Sequence, residues 1–269
     1  MNPGFRLEPI TPGLGATVRG IDLREPLGAG VVEHLRRAWL DHLVLWFPDQ
    51  PLTLDQQKVF ARNFGELWIH PTVPAPDGHP EVLVVRTREG AEVAPGQGWH
   101  TDMPAAATPP SGSLLRLEKV PSSGGDTMFC NMYAAYDALS EHWQRFLDPL
   151  DAWQSGIKRH GRTFGMAGDH PEALHPVVRR HPETGRKALF VNQGFTTHIE
   201  GMSEPESDAV LEFLYRHCEN PAFHMRLRWQ PDSMALWDNR CVMHNAINDY
   251  DPGERLGYRL TLAGDRPTR

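Results

Sequence analysis

The chain is poor in cysteine, with three in 269 residues: Cys130, Cys218 and Cys241. They are odd in number, lie far apart and form no Cys-x-x-Cys pair. A disulfide framework is therefore excluded, and a reducing compartment, the cytoplasm, is expected. There is no excess of basic charge: 27 Lys and Arg face 34 Asp and Glu, for a net charge of −7. That argues against a nucleic-acid partner, which selects a basic stripe or surface. Long apolar runs are missing too. A stretch such as Leu43–Phe47 is far too short to cross a bilayer, so no membrane partner is expected. The opening MNPGFRLEPI shows no basic segment followed by an apolar one, so no secretory signal is expected. Internal repeats and low-complexity tracts are also absent.

Histidine is plentiful, with fourteen residues, and Gly and Pro number 24 each. Imidazole is both a metal ligand and an acid–base group near neutral pH. Frequent Gly and Pro suit short strands and turns better than long helices. Strand signals fall at Phe5–Ile10, Ala16–Leu23, Glu81–Thr87, Ser113–Val120 and Thr127–Cys130, and the continuous apolar run Leu43–Phe47, ended by Pro48, reads as a buried strand. Val177–Arg180 and Ala188–Asn192 flank a hairpin turn, and late strands fall at Phe223–Trp229, Met234–Trp237 and Tyr258–Ala263. Helices are expected over 30–42, where Val31, Leu35, Ala38 and Trp39 share a face, and over 132–147. Two more open on capping boxes, at Thr53 with Gln56 and at Ser203 with Glu206, and run to about Phe64 and Glu219. No βαβα alternation appears. The expected architecture is a single domain over 1–269, mainly β, a sandwich or barrel with flanking helices.

Residues 99–102 read Trp-His-Thr-Asp after a glycine-rich loop. On a strand, His100 and Asp102 would point to one face and could hold adjacent positions on one metal. A second histidine would complete the two-His-one-carboxylate triad of non-haem Fe(II) oxygenases. A lone His-x-Asp carries little weight, because it arises by chance. Downstream, His244 follows Trp237-Asp238-Asn239-Arg240, Arg255 lies eleven residues beyond it, and Arg259 four beyond that. A guanidinium fork grips a carboxylate with two hydrogen bonds, although a solvated strand residue is the commoner role for an arginine. Gly124-Gly125-Asp126-Thr127 reads as a turn entering a strand, and Thr127 could offer a hydroxyl to an anion. A zinc hydrolase or a non-oxidative cupin-like metal-binding module would also explain the triad.

Taken together, WHTD, GGDT, WDNRCVMH and the arginine eleven residues later resemble the Fe(II)- and 2-oxoglutarate-dependent taurine dioxygenase family, which includes alkylsulfatases and phenoxyalkanoate dioxygenases. The similarity continues through LREPL, FGELWIHP and HPVVRRHPETGRKALFVNQGF to AGDRP, in order along nearly the whole chain. It implies a double-stranded β-helix, or jelly roll, with helices outside. It further implies that His100, Asp102 and His244 bind Fe(II), and that Thr127 and Arg255 bind the distal carboxylate of 2-oxoglutarate. The implied reaction couples O2 and decarboxylation to succinate and CO2 with hydroxylation of a substrate C–H bond. A carboxylate at Asp102 speaks for hydroxylation over halogenation. Arg259, His70, Phe195 and Phe164 match substrate-pocket positions of the taurine enzyme, and relatives are commonly dimers or tetramers.

The match to the taurine pocket is partial. Val73 stands where that enzyme has a tyrosine, Gln97 is displaced from the position of a pocket asparagine, and Met103–Ala107 lacks the usual aromatic. The expectation is a larger, more apolar pocket, taurine as a poor substrate, and a bigger sulfonate, sulfate ester or carboxylate anion in its place. A tailoring hydroxylase of specialised metabolism is the alternative within the family.

Overall fold

The computed structural model describes residues 4–70, 75–87, 96–156, 171–251 and 255–269. Its frame is an eight-stranded sheet. The strands are β1 (Arg6–Pro9), β2 (Ala16–Arg19), β3 (Val44–Phe47), β4 (Leu67–Trp68), β5 (Leu83–Arg86), β6 (Gly112–Lys119), β14 (Ser233–Asp238) and β16 (Leu256–Leu262). They run in the order β1-β2-β3-β14-β6-β16-β4, with β5 also beside β16. Among the described strands, only β2 and β3 pair in parallel. A three-stranded sheet stands against this one: β7 (Thr127–Asn131) lies between β13 (His224–Leu227) and β15 (Val242–Ala246). A third sheet joins β8 (Asp151–Ser155), β9 (Glu172–Pro176) and β12 (Thr196–Ile199). The expected hairpin is present as β10 (Val178–Arg180) paired with β11 (Lys187–Leu189).

The period-2 pattern decides which face of the large sheet goes where. Met234, Leu236, Leu114, Leu260 and Leu262 turn outward onto Leu35, Ala38, Trp39 and Phe60 of α1 (Ala29–His42) and α2 (Leu54–Ala61). Ala235, Trp237, Leu115 and Leu117 turn inward, into one cluster with Phe129, Met225 and Leu227 of the three-stranded sheet. Two sheets, the larger antiparallel except at β2–β3, packed face to face with helices outside are the mainly-β jelly-roll arrangement the sequence suggested. Gly257 marks how closely β16 and β6 approach: a Cβ there would come within 2.4 Å of Leu117 and 2.7 Å of the Arg116 carbonyl.

Local signals predicted the helices well. The Thr53–Gln56 capping box opens α2, and the Ser203–Glu206 box opens α5 (Glu204–Cys218). The helix expected over 132–147 is in fact two, α3 (Met132–Asp137) and α4 (Glu141–Leu147). Ser140, whose side chain caps α4, restarts the helix there. Leu43 is the left-handed C-cap of α1 rather than the first residue of a strand. Strands β4, β8, β9, β12 and β15 lack clear alternation and were not anticipated. No described helix is long and apolar enough to cross a membrane.

Candidate active site

His244 sits in the middle of β15, directly opposite Phe129 of β7. On its other side, His100 and His244 form an isolated antiparallel bridge with two backbone hydrogen bonds, of 3.0 and 2.8 Å. Directly opposed residues share a face, so the two imidazoles meet, with ring centroids 4.2 Å apart. The chain then leaves the extended path. Met103 has φ +45°, and Asp102 lies in a turn rather than on the strand that the His-x-Asp reading assumed. The turn still brings the carboxylate in. Donor atoms of His100, Asp102 and His244 all lie within 4.8 Å of one another, and all three residues are buried. His100 Nδ1 is 2.7 Å from the Gly98 carbonyl, which only an N–H can approach so closely. That fixes the proton on Nδ1 and leaves Nε2 as the ligand atom. Two imidazoles and a carboxylate converging in this way are a fitting set for a divalent transition-metal ion such as Fe(II).

The carboxylate of Asp102 is held on both sides. Ser113 Oγ donates to Oδ2 at 2.7 Å, and Arg259 Nη1 donates to Oδ1 at 2.7 Å. Burial pushes its pKa up, but the charges of Arg259, His244 and His100 outweigh burial and hold it well below the usual carboxylate range. Behind Ser113 runs a relay of fixed direction. Trp237 Nε1, which can only donate, bonds Asn239 Oδ1 at 2.9 Å, and Asn239 Nδ2 then donates to Ser113 Oγ at 2.9 Å. With that lone pair filled, the Ser113 hydrogen faces Asp102. Sequence reasoning missed Ser113, and it noticed Trp237 and Asn239 only within a motif. Their partners are distant in the chain, with Asn239 and Ser113 separated by 126 residues.

Thr127 opens β7 two residues from Phe129, hence on the His244 face of that sheet. Arg255, just before β16, is 3 % exposed. No described carboxylate pairs with it. Its recorded partner is the Tyr250 phenol, its Nε is buried without an acceptor, and burial lowers its pKa. A buried, uncompensated guanidinium is costly and calls for an anion. A clasp ties the turn that leads into Thr127 to the segment that follows β15. Gly125 N donates to Asp249 Oδ1 at 2.8 Å, Ile247 N donates to the Asp126 carbonyl at 2.9 Å, and Arg226 bonds both Asp126 and Asp249. Gly124 and Gly125 have φ of +74° and +70°, and a Cβ on Gly124 would fall 2.5 Å from the Asp249 carbonyl, so the turn needs glycine. Asp249 is therefore a cross-link between two segments and not only a turn former.

Of the other pocket candidates, Arg259 reaches the triad through Asp102. His70 follows β4, whose Trp68 pairs with Thr261, two residues from Arg259, and its ring meets Trp68 edge-on at 5.5 Å. Phe195 is buried but belongs to neither of the two described hydrophobic clusters. Phe164 and Val73 lie outside the described residues.

A second buried group, His181, Asp238 and Cys241, has metal-like spacing. Its bonding argues otherwise. His181 Nδ1 accepts N–H bonds from Glu183 and Thr184 at 3.2 Å, so Nε2 carries the proton and donates to Asp238 at 3.0 Å. Arg240 takes the remaining capacity of Asp238 with three bonds of 2.7 to 2.9 Å, and burial keeps the Cys241 thiol protonated. Asp238, which from sequence looked like a turn former, is instead a buried anchor.

The sequence profile of the taurine catabolism dioxygenase TauD, TfdA family matches residues 6–261. An alpha-ketoglutarate-dependent sulfate ester dioxygenase from Pseudomonas putida is 35 % identical, covering 97 % of this chain and 90 % of the relative. An alpha-ketoglutarate-dependent 2,4-dichlorophenoxyacetate dioxygenase from Cupriavidus pinatubonensis is 36 % identical, covering 96 % of each chain. A crystal structure of a taurine dioxygenase from Burkholderia xenovorans superposes with a TM-score of 0.87 at 37 % identity, covering 99 % of this chain and 91 % of the other.

Proposed function

This chain belongs to the taurine catabolism dioxygenase TauD, TfdA family, and from that membership we propose that it is an Fe(II)- and 2-oxoglutarate-dependent dioxygenase that hydroxylates a C–H bond of a small organic anion. The balance is 2-oxoglutarate, O2 and R–H giving succinate, CO2 and R–OH. The observation that carries the reading is the buried convergence of His100, Asp102 and His244, with a second buried site for an anion at Arg255.

In this reading His100, Asp102 and His244 hold the iron. Iron with bound 2-oxoglutarate supplies O2 activation and the oxidising equivalents. Thr127 and Arg255 hold the distal carboxylate, Arg255 by neutralising it and Thr127 by a hydroxyl hydrogen bond. The Trp237–Asn239–Ser113 relay keeps Asp102 turned toward the two imidazoles. Arg259 joins the two halves of the site. One nitrogen stays on Asp102, and its remaining donors, including a buried Nε with no acceptor, are available to a substrate anion beside the triad. The family resemblance assigns His70 and Phe195 to the same pocket. The curated relatives' names support the anion: a sulfate ester and an aryloxyacetate are both small and negatively charged.

The test is a screen of sulfonates, sulfate esters and aryloxy carboxylates with Fe(II), ascorbate and 2-oxoglutarate under air. Succinate formed in step with one of these anions is the expected result, with larger anions preferred to taurine. Asp102→Ala abolishes it. Succinate production unchanged in that variant refutes the ligand set, and efficient taurine turnover with the larger anions inert refutes the substrate class.

A further inference from the structure

Trp229 is not predicted from sequence and has no role in the reading above. Its indole Nε1–H donates to Thr127 Oγ1 at 2.9 Å across 102 residues of chain. Both side chains are buried. An indole nitrogen can only donate, so the direction of the bond is certain. The bond fills a lone pair on the threonine oxygen and leaves its hydrogen to be given elsewhere. Among the described residues nothing accepts that hydrogen. Arg255, the other residue assigned to the distal carboxylate, likewise presents only N–H groups.

We propose that Trp229 is a positioning residue that sets the polarity of the 2-oxoglutarate tail site. By occupying the acceptor side of Thr127, it turns the hydroxyl hydrogen toward the distal carboxylate. The site then offers donors and no acceptor. An ionised carboxylate satisfies all of them. The isosteric amide brings two hydrogens of its own against those donors and leaves buried N–H groups unpaired, which is strongly unfavourable. Trp229 thereby governs selection of the acid over the amide. The inference rests on the assignment of Thr127 and Arg255 to the distal carboxylate.

The experiment is calorimetric titration of the Mn(II)-loaded protein with 2-oxoglutarate and with 2-oxoglutaramate, without turnover. The wild type prefers the acid by about a hundredfold or more, from the cost of unpaired buried donors. Trp229→Phe weakens 2-oxoglutarate binding about tenfold, the worth of one directed hydrogen bond, and narrows the acid-to-amide ratio. In a Thr127→Val background the same change has no further effect on affinity. A general loss of packing would instead lower affinity equally in both backgrounds, and that result overturns the proposal. An acid-to-amide ratio near one in the wild type overturns it too, without any variant. If Thr127→Val alone leaves 2-oxoglutarate affinity unchanged, the underlying assignment of the tail site has failed, a result distinct from failure of the Trp229 role.

Discussion

Removing the Ser113 hydroxyl tests the relay behind the metal site most directly. Ser113 has no exposed surface, and its Oγ links Asn239 to Asp102. In Ser113→Ala, Asp102 Oδ2 loses its donor and Asn239 Nδ2 loses its acceptor. A hydrogen bond to a buried charged group is worth about 1.5–3 kcal/mol. Partners that orient a metal ligand are worth about 10–100-fold in metal affinity, or roughly 1.4–2.7 kcal/mol. The two estimates agree, so Mn(II) affinity of Ser113→Ala falls about 10–100-fold, and thermal stability falls with it. Asn239→Ala is the graded control. It leaves the 2.7 Å bond from Ser113 to Asp102 in place and removes only its directional constraint, so the loss is under about tenfold. Anaerobic calorimetry with Mn(II) measures both. A folded Ser113→Ala protein with metal affinity within threefold of wild type refutes the relay, as does an Asn239→Ala defect larger than that of Ser113→Ala.

Three further outcomes follow from the same geometry. Arg255→Met weakens 2-oxoglutarate binding by about 2–5 kcal/mol while leaving metal affinity unchanged. Because it removes a buried charge that has the Tyr250 phenol but no described carboxylate beside it, the cosubstrate-free protein loses little stability in a melting scan, and a large drop contradicts the reading of Arg255 as a charge awaiting its anion. Asp238→Asn removes the buried charge shared by Arg240 and His181 and leaves Arg240 with Glu183 alone, at 2.6 Å, costing about 3–5 kcal/mol, read by urea unfolding. Burial raises the Asp238 pKa, but Arg240 and His181 reverse this and hold it below the usual carboxylate range. Its contribution is therefore fully present above about pH 4, its unfolded pKa, and is lost as pH falls through the lower folded value. The wild type thus loses more stability on acidification than Asp238→Asn does, and parallel acid profiles contradict this. Gly257→Ala forces a methyl to within 2.4 Å of Leu117 and costs about 1–3 kcal/mol. Over a chain of this size that is roughly 2–4 °C of Tm per kcal/mol.

Where the controlling interaction is local, the sequence was readable. The capping boxes at Thr53 and Ser203 span three residues, and α1 buries Leu35, Ala38 and Trp39 as its period requires. The break at Ser140 lies within a run that is helical on both sides, and β15 carries no alternation to announce it, although it holds His244. The candidate ligands and tail-site residues were legible only as a spaced set, since none of them alone exceeds chance. What brings them together is pairing at a distance: the His100–His244 bridge spans the two halves of the chain, and Asp102 arrives through a turn that no strand rule describes.

By itself the sequence determined the chemistry on offer, two imidazoles, a carboxylate and two arginines at characteristic spacing, because side-chain type and spacing are written directly in the chain. Only the tertiary structure decided what holds those groups: Ser113 and Arg259 on Asp102, Trp229 on Thr127, Tyr250 on Arg255, and Asp238 diverted from turn to anchor. The physical reason is that a hydrogen bond has direction and a reach of about 3 Å. Its partners are chosen by which strands lie side by side, and strand order is a property of the whole fold.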